Sequence, residues 1–182
     1  AAAKGGPIRR PSDGGEVKTV VFAQCAGQRD DTGQHLPYCS GSCCLTSVKQ
    51  AMYFKDANPD VDTVVVYTDL RMPGNGEDFY RSAQNKGVIF TKGKVSSVEA
   101  SGNQCKVNFH DLILDDQNAA IADADLVVLA TGQVPNSGVD IDRRLKAEQA
   151  AANGDNSLLE ALQAEEAAGT KAVSVLNLSY RQ

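Results

Sequence analysis

Residues 17–25, VKTVVFAQC, set the reading of everything around them. The run Val17 to Phe22 is short, apolar and β-branched, as a buried strand must be, and it ends close to a cysteine. The next stretch, Gly27 to Ser42, is polar and interrupted by Gly33, Pro37 and Gly41, which predicts a loop. From Cys43 the pattern turns helical: Leu45, Val48 and Met52 recur at helix spacing, and Asn58-Pro59 closes the segment. The order strand, cysteine-bearing loop, helix is the opening of an α/β domain.

Working outward, VDTVVVYTDL (61–70) predicts a second strand centred on Val64, Val65 and Val66. Pro73, Gly74 and Gly76 lead into a helix from about Glu77 to Asn85, with Gly87 placed as its C-terminal cap. Val88-Ile89-Phe90 reads as a third short strand. Residues 94–115 predict a hairpin turning at Ser101-Gly102-Asn103, with one further strand beyond it. Leu126 to Ala130, in ADLVVLATG, predicts the last strand of the sheet. The expected fold is α/β: a Rossmann-like parallel sheet with helices on both faces and an antiparallel meander, plus a helical C-terminal extension. Residues 1–16 read as an extended lead-in and residues 17–136 as the domain. Residues 137–182 read as an Ala/Glu-rich extension of one or two helices, followed by a final strand at Val173 to Leu178.

Composition narrows the function classes. The chain has 182 residues with 18 Lys+Arg against 23 Asp+Glu, a net charge of −5, so nucleic acid is not expected as a partner. No apolar run approaches the roughly 20 residues of a membrane helix, so direct membrane insertion is not expected. Five cysteines stand beside no tryptophan, and four of them, Cys25, Cys39, Cys43 and Cys44, fall in one short stretch. A secreted disulfide scaffold would spread its cysteines; clustering points to metal or redox chemistry.

The spacing is C-x13-C-x3-C-C, from the carboxyl end of the first strand to the start of the next helix. A doubly wound sheet binds ligands in the crevice beyond its strand ends. A helix N-terminus there is expected to lower thiolate pKa values. Four thiolates suit a [4Fe–4S] cluster or zinc; redox-active or simply buried thiols are the remaining reading. Structural zinc usually takes paired C-x2-C or C-x4-C knuckles, which are absent, and the run is not the C-x2-C-x2-C of a bacterial ferredoxin. His35 lies within the loop as an additional candidate ligand or a solvated loop histidine.

The segments PIRRPSDGGEVKTVVFAQCAGQRD, PYCSGSCCLTSVKQA, VVVYTDLRMPGNGEDFY and LVVLATGQVPN resemble the A-type chain of heterodisulfide reductase, an iron–sulfur flavoprotein. They resemble still more the A and B subunits of the quinone-interacting membrane-bound oxidoreductase. The likeness runs from about Gly6 to Asn136. It implies the second dinucleotide-binding-like domain of a thioredoxin-reductase-like flavoprotein. In that position pyridine-nucleotide relatives carry G-x-G-x-x-G; here the chain reads QCAGQRD, and no such motif occurs in it. The resemblance implies instead a [4Fe–4S] cluster on Cys25, Cys39, Cys43 and Cys44. That cluster would exchange electrons with the FAD of the full-length protein, which this chain alone is not expected to bind. Thr131, Gly132 and Pro135 would sit near the junction with the missing FAD half of the same chain. Other subunits of a redox complex are the implied partners. The implied location is cytoplasmic, at the cytoplasmic face of a membrane complex in the quinone-interacting branch. The competing functions are a structural zinc module on the same cysteines and an NAD(P)H-dependent thiol oxidoreductase using vicinal Cys43 and Cys44.

Among the remaining polar residues, Arg29 reads either as an ion-pair partner of Asp30 or as a donor to a cluster sulfur. Tyr38 reads as a shield beside Cys39 or as a packed loop aromatic. Asp69 and Arg71 read as surface charges, and Cys105 as a small buried hydrophobe alternating with Val107 and Phe109.

Overall fold

The computed structural model describes residues 6–32, 34–133 and 141–167. The chain divides into two compact units, Ala1–Gln133 and Val134–Gln182. The first holds β1 (Thr19–Ala23), α1 (Cys43–Ala57), β2 (Asp62–Tyr67), α2 (Gly76–Asn85), β3 (Ile89–Ser101), β4 (Gln104–Asp111), β5 (Asp116–Ala124) and β6 (Leu126–Leu129). These strands form one sheet in the order β5-β4-β3-β2-β1-β6. β1 pairs in parallel with β2 and with β6, and β2 pairs in parallel with β3. β3–β4 and β4–β5 are antiparallel. This is a Rossmann-like α/β domain carrying a meander.

Alternation along β1 and β2 divides the core in two. Val20, Phe22 and Val65 pack with Val48, Ala51, Met52 and Phe54 of α1 and Ala83 of α2. Val21, Val64 and Val66 face the opposite way, against Val107 and Phe109 of β4 and Ala124 of β5. α1 and α2 therefore share one face, and in this unit the meander covers the other. Helices were expected on both faces. The difference lies in β3, which does not stop after Phe90. Ile89–Lys92 pair with β2, and the same strand continues through Gly93 to pair with β4. A Cβ at Gly93 would stand 2.7 Å from Cδ2 of Phe109 and 2.9 Å from the His110 carbonyl oxygen, so the missing side chain is what lets β4 fold over at this point.

The lead-in is a tight turn. Arg9 bridges Glu16 in antiparallel fashion, and Ile8 packs against the helix-side core. Arg10 donates to the Asn103 carbonyl at 2.8 Å and lies 3.5 Å from the Asp125 carboxylate. Asp125 also accepts the backbone N–H groups of Lys18 and Thr19 and the Gln104 amide.

The second unit holds α3 (Ile141–Ala152) and α4 (Ser157–Ala167), which pack on each other with Ala147 and Leu162 buried. Gly154, at φ 91°, supports the turn between them, and Asp155 caps α4 through the Ser157 backbone and hydroxyl. The strand expected at 173–178 lies outside the described residues. Among the described residues no helix is long and apolar enough to cross a membrane.

Candidate metal centre

The ladder of β1 runs one residue beyond Ala23, with Gln24 N–H donating to Val66 O, and then breaks at Cys25. Cys25 has φ 56° and Arg29 φ 56°, the left-handed region that non-glycine residues enter only at a cost. These two residues turn the chain back on itself. The loop is then held by Leu36 N–H to Gly27 O, Asp30 N–H to Leu36 O and Arg29 N–H to Tyr38 O, with Leu36 buried beneath it. The Asp30 carboxylate accepts from Thr32, Gln34 and His35, and these bonds bring its pKa down to about 2. Asp30 is thus committed to shaping the loop and does not pair with Arg29. The partner of Arg29 is Asp69, at 2.7 Å, with Thr68 Oγ1 at 3.0 Å. The same guanidinium interacts electrostatically with Cys25. His35 is exposed, on the rim of the site.

All four clustered cysteines are free thiols, as is the half-buried Cys105, which packs against the meander-side core. Cys39 Sγ accepts the Gly41 N–H at 3.4 Å. Cys43, the first residue of α1, directs its thiol to Gln28 Oε1 at 3.7 Å. Cys44 is buried, with its thiol 3.7 Å from the Asp69 carbonyl oxygen.

The helix N-terminus was expected to depress the thiol pKa values. The structure reverses this at two positions. Burial pushes Cys43 up, and Cys39 and Cys25 add to the shift. Burial likewise raises Cys44, against a lowering bond from the Arg71 backbone, with Cys25, Cys39 and Cys43 adding further. Desolvation and mutual repulsion outweigh the helix dipole, whose influence is confined to the first turn. Two conclusions follow. The four thiols are near enough to feel one another's charge. And burial together with the neighbouring thiols disfavours the thiolate at Cys43 and Cys44 when no cation is bound.

The donor set fits a group that brings its own positive charge. The four sulfurs lie on the loop that follows β1 and on the first residues of α1, close enough for Cys25 and Cys39 to act on Cys43 and Cys44, with backbone N–H donors from Gly41 and Arg71 directed at two of them and Arg29 near a third. Among the described residues no three His, Cys, Asp or Glu side chains form a group placed to hold a metal ion. A closed zinc site requires its sulfurs at about 2.3 Å from one metal. An iron–sulfur cluster gives each thiolate its own iron corner, which spaces the thiolates more widely.

Two hollows flank the cysteine loop. One, of about 380 Å³, opens beside Cys25 and is walled by Arg29, His35, Thr68, Lys94 and Leu129. The other, of about 190 Å³, joins Cys43 and the first turn of α1 to Thr131 and Gly132. Thr131 and Gly132 thus stand beside a cysteine of the cluster. Pro135 lies outside the described residues. The residues that make this join had no sequence signal. Gln28 is bonded through its amide to Ser40, and Ser40 Oγ accepts from Gln133 N–H at 2.7 Å. Tyr38 O–H donates to the Gln133 carbonyl at 3.2 Å, so Tyr38 ties the loop to the turn after β6.

These features define a cysteine-bearing α/β domain, and comparison with known proteins identifies which one. No family model matches the chain. It is 37% identical over 143 residues to the A-type chain of the H(2):CoB-CoM heterodisulfide,ferredoxin reductase of Methanothermobacter marburgensis, covering 76% of this chain and 21% of that protein. It is 37% identical over 140 residues to the A-type iron-sulfur chain of the CoB--CoM heterodisulfide reductase of Methanocaldococcus jannaschii, covering 74% and 21%. Over three quarters of its length the chain is therefore similar to a segment of heterodisulfide reductase A-type chains, and it spans about a fifth of the length of these relatives. Among solved structures, LpdA from Mycobacterium tuberculosis aligns over 69% of this chain and 23% of its own at 15% identity, with a TM-score of 0.43.

Proposed function

We propose that this chain is an electron-transfer segment of an iron–sulfur flavoprotein of the heterodisulfide reductase type, with Cys25, Cys39, Cys43 and Cys44 holding a [4Fe–4S] cluster. The observation that supports this reading is the four free thiols on the loop after β1 and the start of α1, with Cys43 and Cys44 raised in pKa partly by the others. Bound there, such a cluster supplies reversible one-electron transfer at low potential. The chain's own part is to hold and insulate. β1 and α1 present the first and the last two thiols from rigid elements. The loop is held by the bonds Leu36 N–H to Gly27 O and Arg29 N–H to Tyr38 O, and it offers the Gly41 N–H to the Cys39 sulfur. Arg29 offsets negative charge at Cys25 while anchored on Asp69.

The FAD belongs to the remainder of the full-length protein. The turn Thr131-Gly132 would face it, a reading supported by the hollow that this turn shares with Cys43. Other subunits of the redox complex would be the electron donors and acceptors. The names of the relatives support this reading, being reductase subunits whose designations include ferredoxin and iron–sulfur.

The test is anaerobic reconstitution with ferrous iron and sulfide. A brown, stoichiometric four-iron species is expected. Single Cys→Ser changes at the four positions should each lower its yield or alter its spectrum, whereas Cys105→Ser should leave it intact. A folded chain that takes up zinc in place of the cluster, or a chromophore indifferent to all four changes, would overturn the proposal.

A further inference from the structure

We infer that the side-chain amide of Gln24 is a hydrogen-bond donor to sulfur of the group held by the four cysteines, and that it sets the potential of that group. The inference rests on the cluster reading above and adds to it a residue outside the ligand set. Gln24 is 8% exposed, and neither its Nε2 nor its Oε1 has a hydrogen-bond partner. Among the described residues no other buried side-chain N or O atom is left so. Folded proteins pair their buried amides with few exceptions, and an exception in a binding crevice marks a missing partner.

The position names that partner. The ladder of β1 continues through the Gln24 N–H to Val66 O, so the alternation of β1 continues with it. Gln24 falls on the face of Val20 and Phe22, which is the face α1 covers. α1 begins with Cys43 and Cys44, and Gln24 itself precedes Cys25. Gln24 thus stands at the end of the strand that α1 covers, one residue before a candidate ligand, and it lines the hollow beside Cys25. Gln28 makes the contrast. It is also buried, four residues on, and its amide is fully engaged by Ser40 and Cys43. The loop has the means to satisfy a glutamine, and at Gln24 it does not.

Hydrogen bonds to cluster sulfur favour the more negative, reduced state and raise the reduction potential. An apolar replacement of similar length should then act in opposite directions on the two forms of the protein. In the metal-free chain Gln24→Met removes two unpaired polar atoms, so the melting temperature should stay the same or rise. In the loaded chain it removes a donor, so at fixed potential the ratio of reduced to oxidised cluster should fall about tenfold, a midpoint lowered by about 59 mV for a one-electron couple.

The experiment uses the full 182-residue chain, loaded anaerobically with iron and sulfide, its iron counted, and its midpoint read by an electron paramagnetic resonance titration. Gln24→Leu serves as the second variant should Gln24→Met not fold. Equal midpoints and unchanged spectra in a loaded variant overturn the inference while leaving the cluster reading intact. A variant that melts lower without metal, with an unmoved midpoint, also overturns it and makes Gln24 a structural residue. A folded wild-type chain that takes up no iron overturns the cluster reading, and this inference with it.

Discussion

The amide of Gln28 lies against the backbone of Gly132, so close that a Cβ at Gly132 would overlap it. Gly132 also has φ 86°, which a side chain would strain. Through this contact the turn after β6 is joined to the cysteine loop, because Gln28 holds Ser40 and Ser40 holds Gln133. Gly132→Ala is expected to destabilise the chain by about 1–3 kcal/mol from backbone strain alone, with the overlap adding to it. Gln28→Ala removes the overlapping amide, so the two changes should be less than additive, with a coupling of roughly 0.5–3 kcal/mol in a double-mutant cycle by urea unfolding. Strict additivity would show that the contact is not made.

Asp125 is the second junction. Its side chain is 8% exposed and gathers Lys18 N–H, Thr19 N–H, the Gln104 amide and Arg10. Burial pushes its pKa up, but these four donors prevail and hold it below the ordinary carboxylate value. Asp125→Ala leaves the Arg10 charge and two backbone donors unserved, and a loss of roughly 3–5 kcal/mol is expected. Asp125→Asn, which keeps one acceptor oxygen, should lose less. If Asp125→Asn unfolds at the same urea concentration as the wild type, the charge has no part in the junction.

The loop carries its own acid sensitivity. Asp30 is lowered from 3.8 to about 2, first by its bond to the Thr32 hydroxyl and then by the N–H groups of His35, Thr32 and Gln34. A lowered folded-state pKa means that the stabilisation is full above pH 3.8 and is lost as the pH falls toward 2. The stability gap between wild type and Asp30→Asn should therefore be constant near neutrality and close across that acid window. A gap that persists at pH 2 would remove Asp30 from the loop's architecture.

Gly93 tests the covering of the second sheet face. Its absent side chain admits the Phe109 ring and the His110 carbonyl, and neither can withdraw without moving β4. Gly93→Ala is expected to cost about 1–3 kcal/mol by overpacking. The effect should concentrate in the meander, where amide exchange of β4 and β5 should rise more than that of β1. Equal loss of protection across the whole sheet would show that the meander and the parallel strands unfold as one unit.

Much of the fold was legible from periodicity. The valine runs of β1 and β2 read as buried strands and Val48 and Met52 as a buried helix face, as found, whereas Leu45, grouped with them by spacing, is exposed. A candidate site was legible as well, since four cysteines at the strand-to-helix crossing are chemically unusual wherever they fold. What escaped the sequence were relationships between distant residues. Arg29 stands next to Asp30, and proximity in the chain suggested a pair. The left-handed turn at Arg29 instead sends its side chain across to Asp69, while Asp30 turns inward to serve the loop.

By itself, then, the sequence determined the class of fold, the residues of the candidate centre and its place at a strand end, because hydrophobic period and cysteine spacing are local properties. Only the tertiary structure decided the direction in which the Cys43 and Cys44 thiols are shifted and how the neighbours of the candidate centre are joined. Cys43 and Cys44 begin a helix, which locally favours thiolate. Burial under the loop and three neighbouring sulfurs reverse that preference, and both of those are long-range effects. The unpaired amide of Gln24 belongs to the same class, since whether a buried group has a partner depends on everything folded around it.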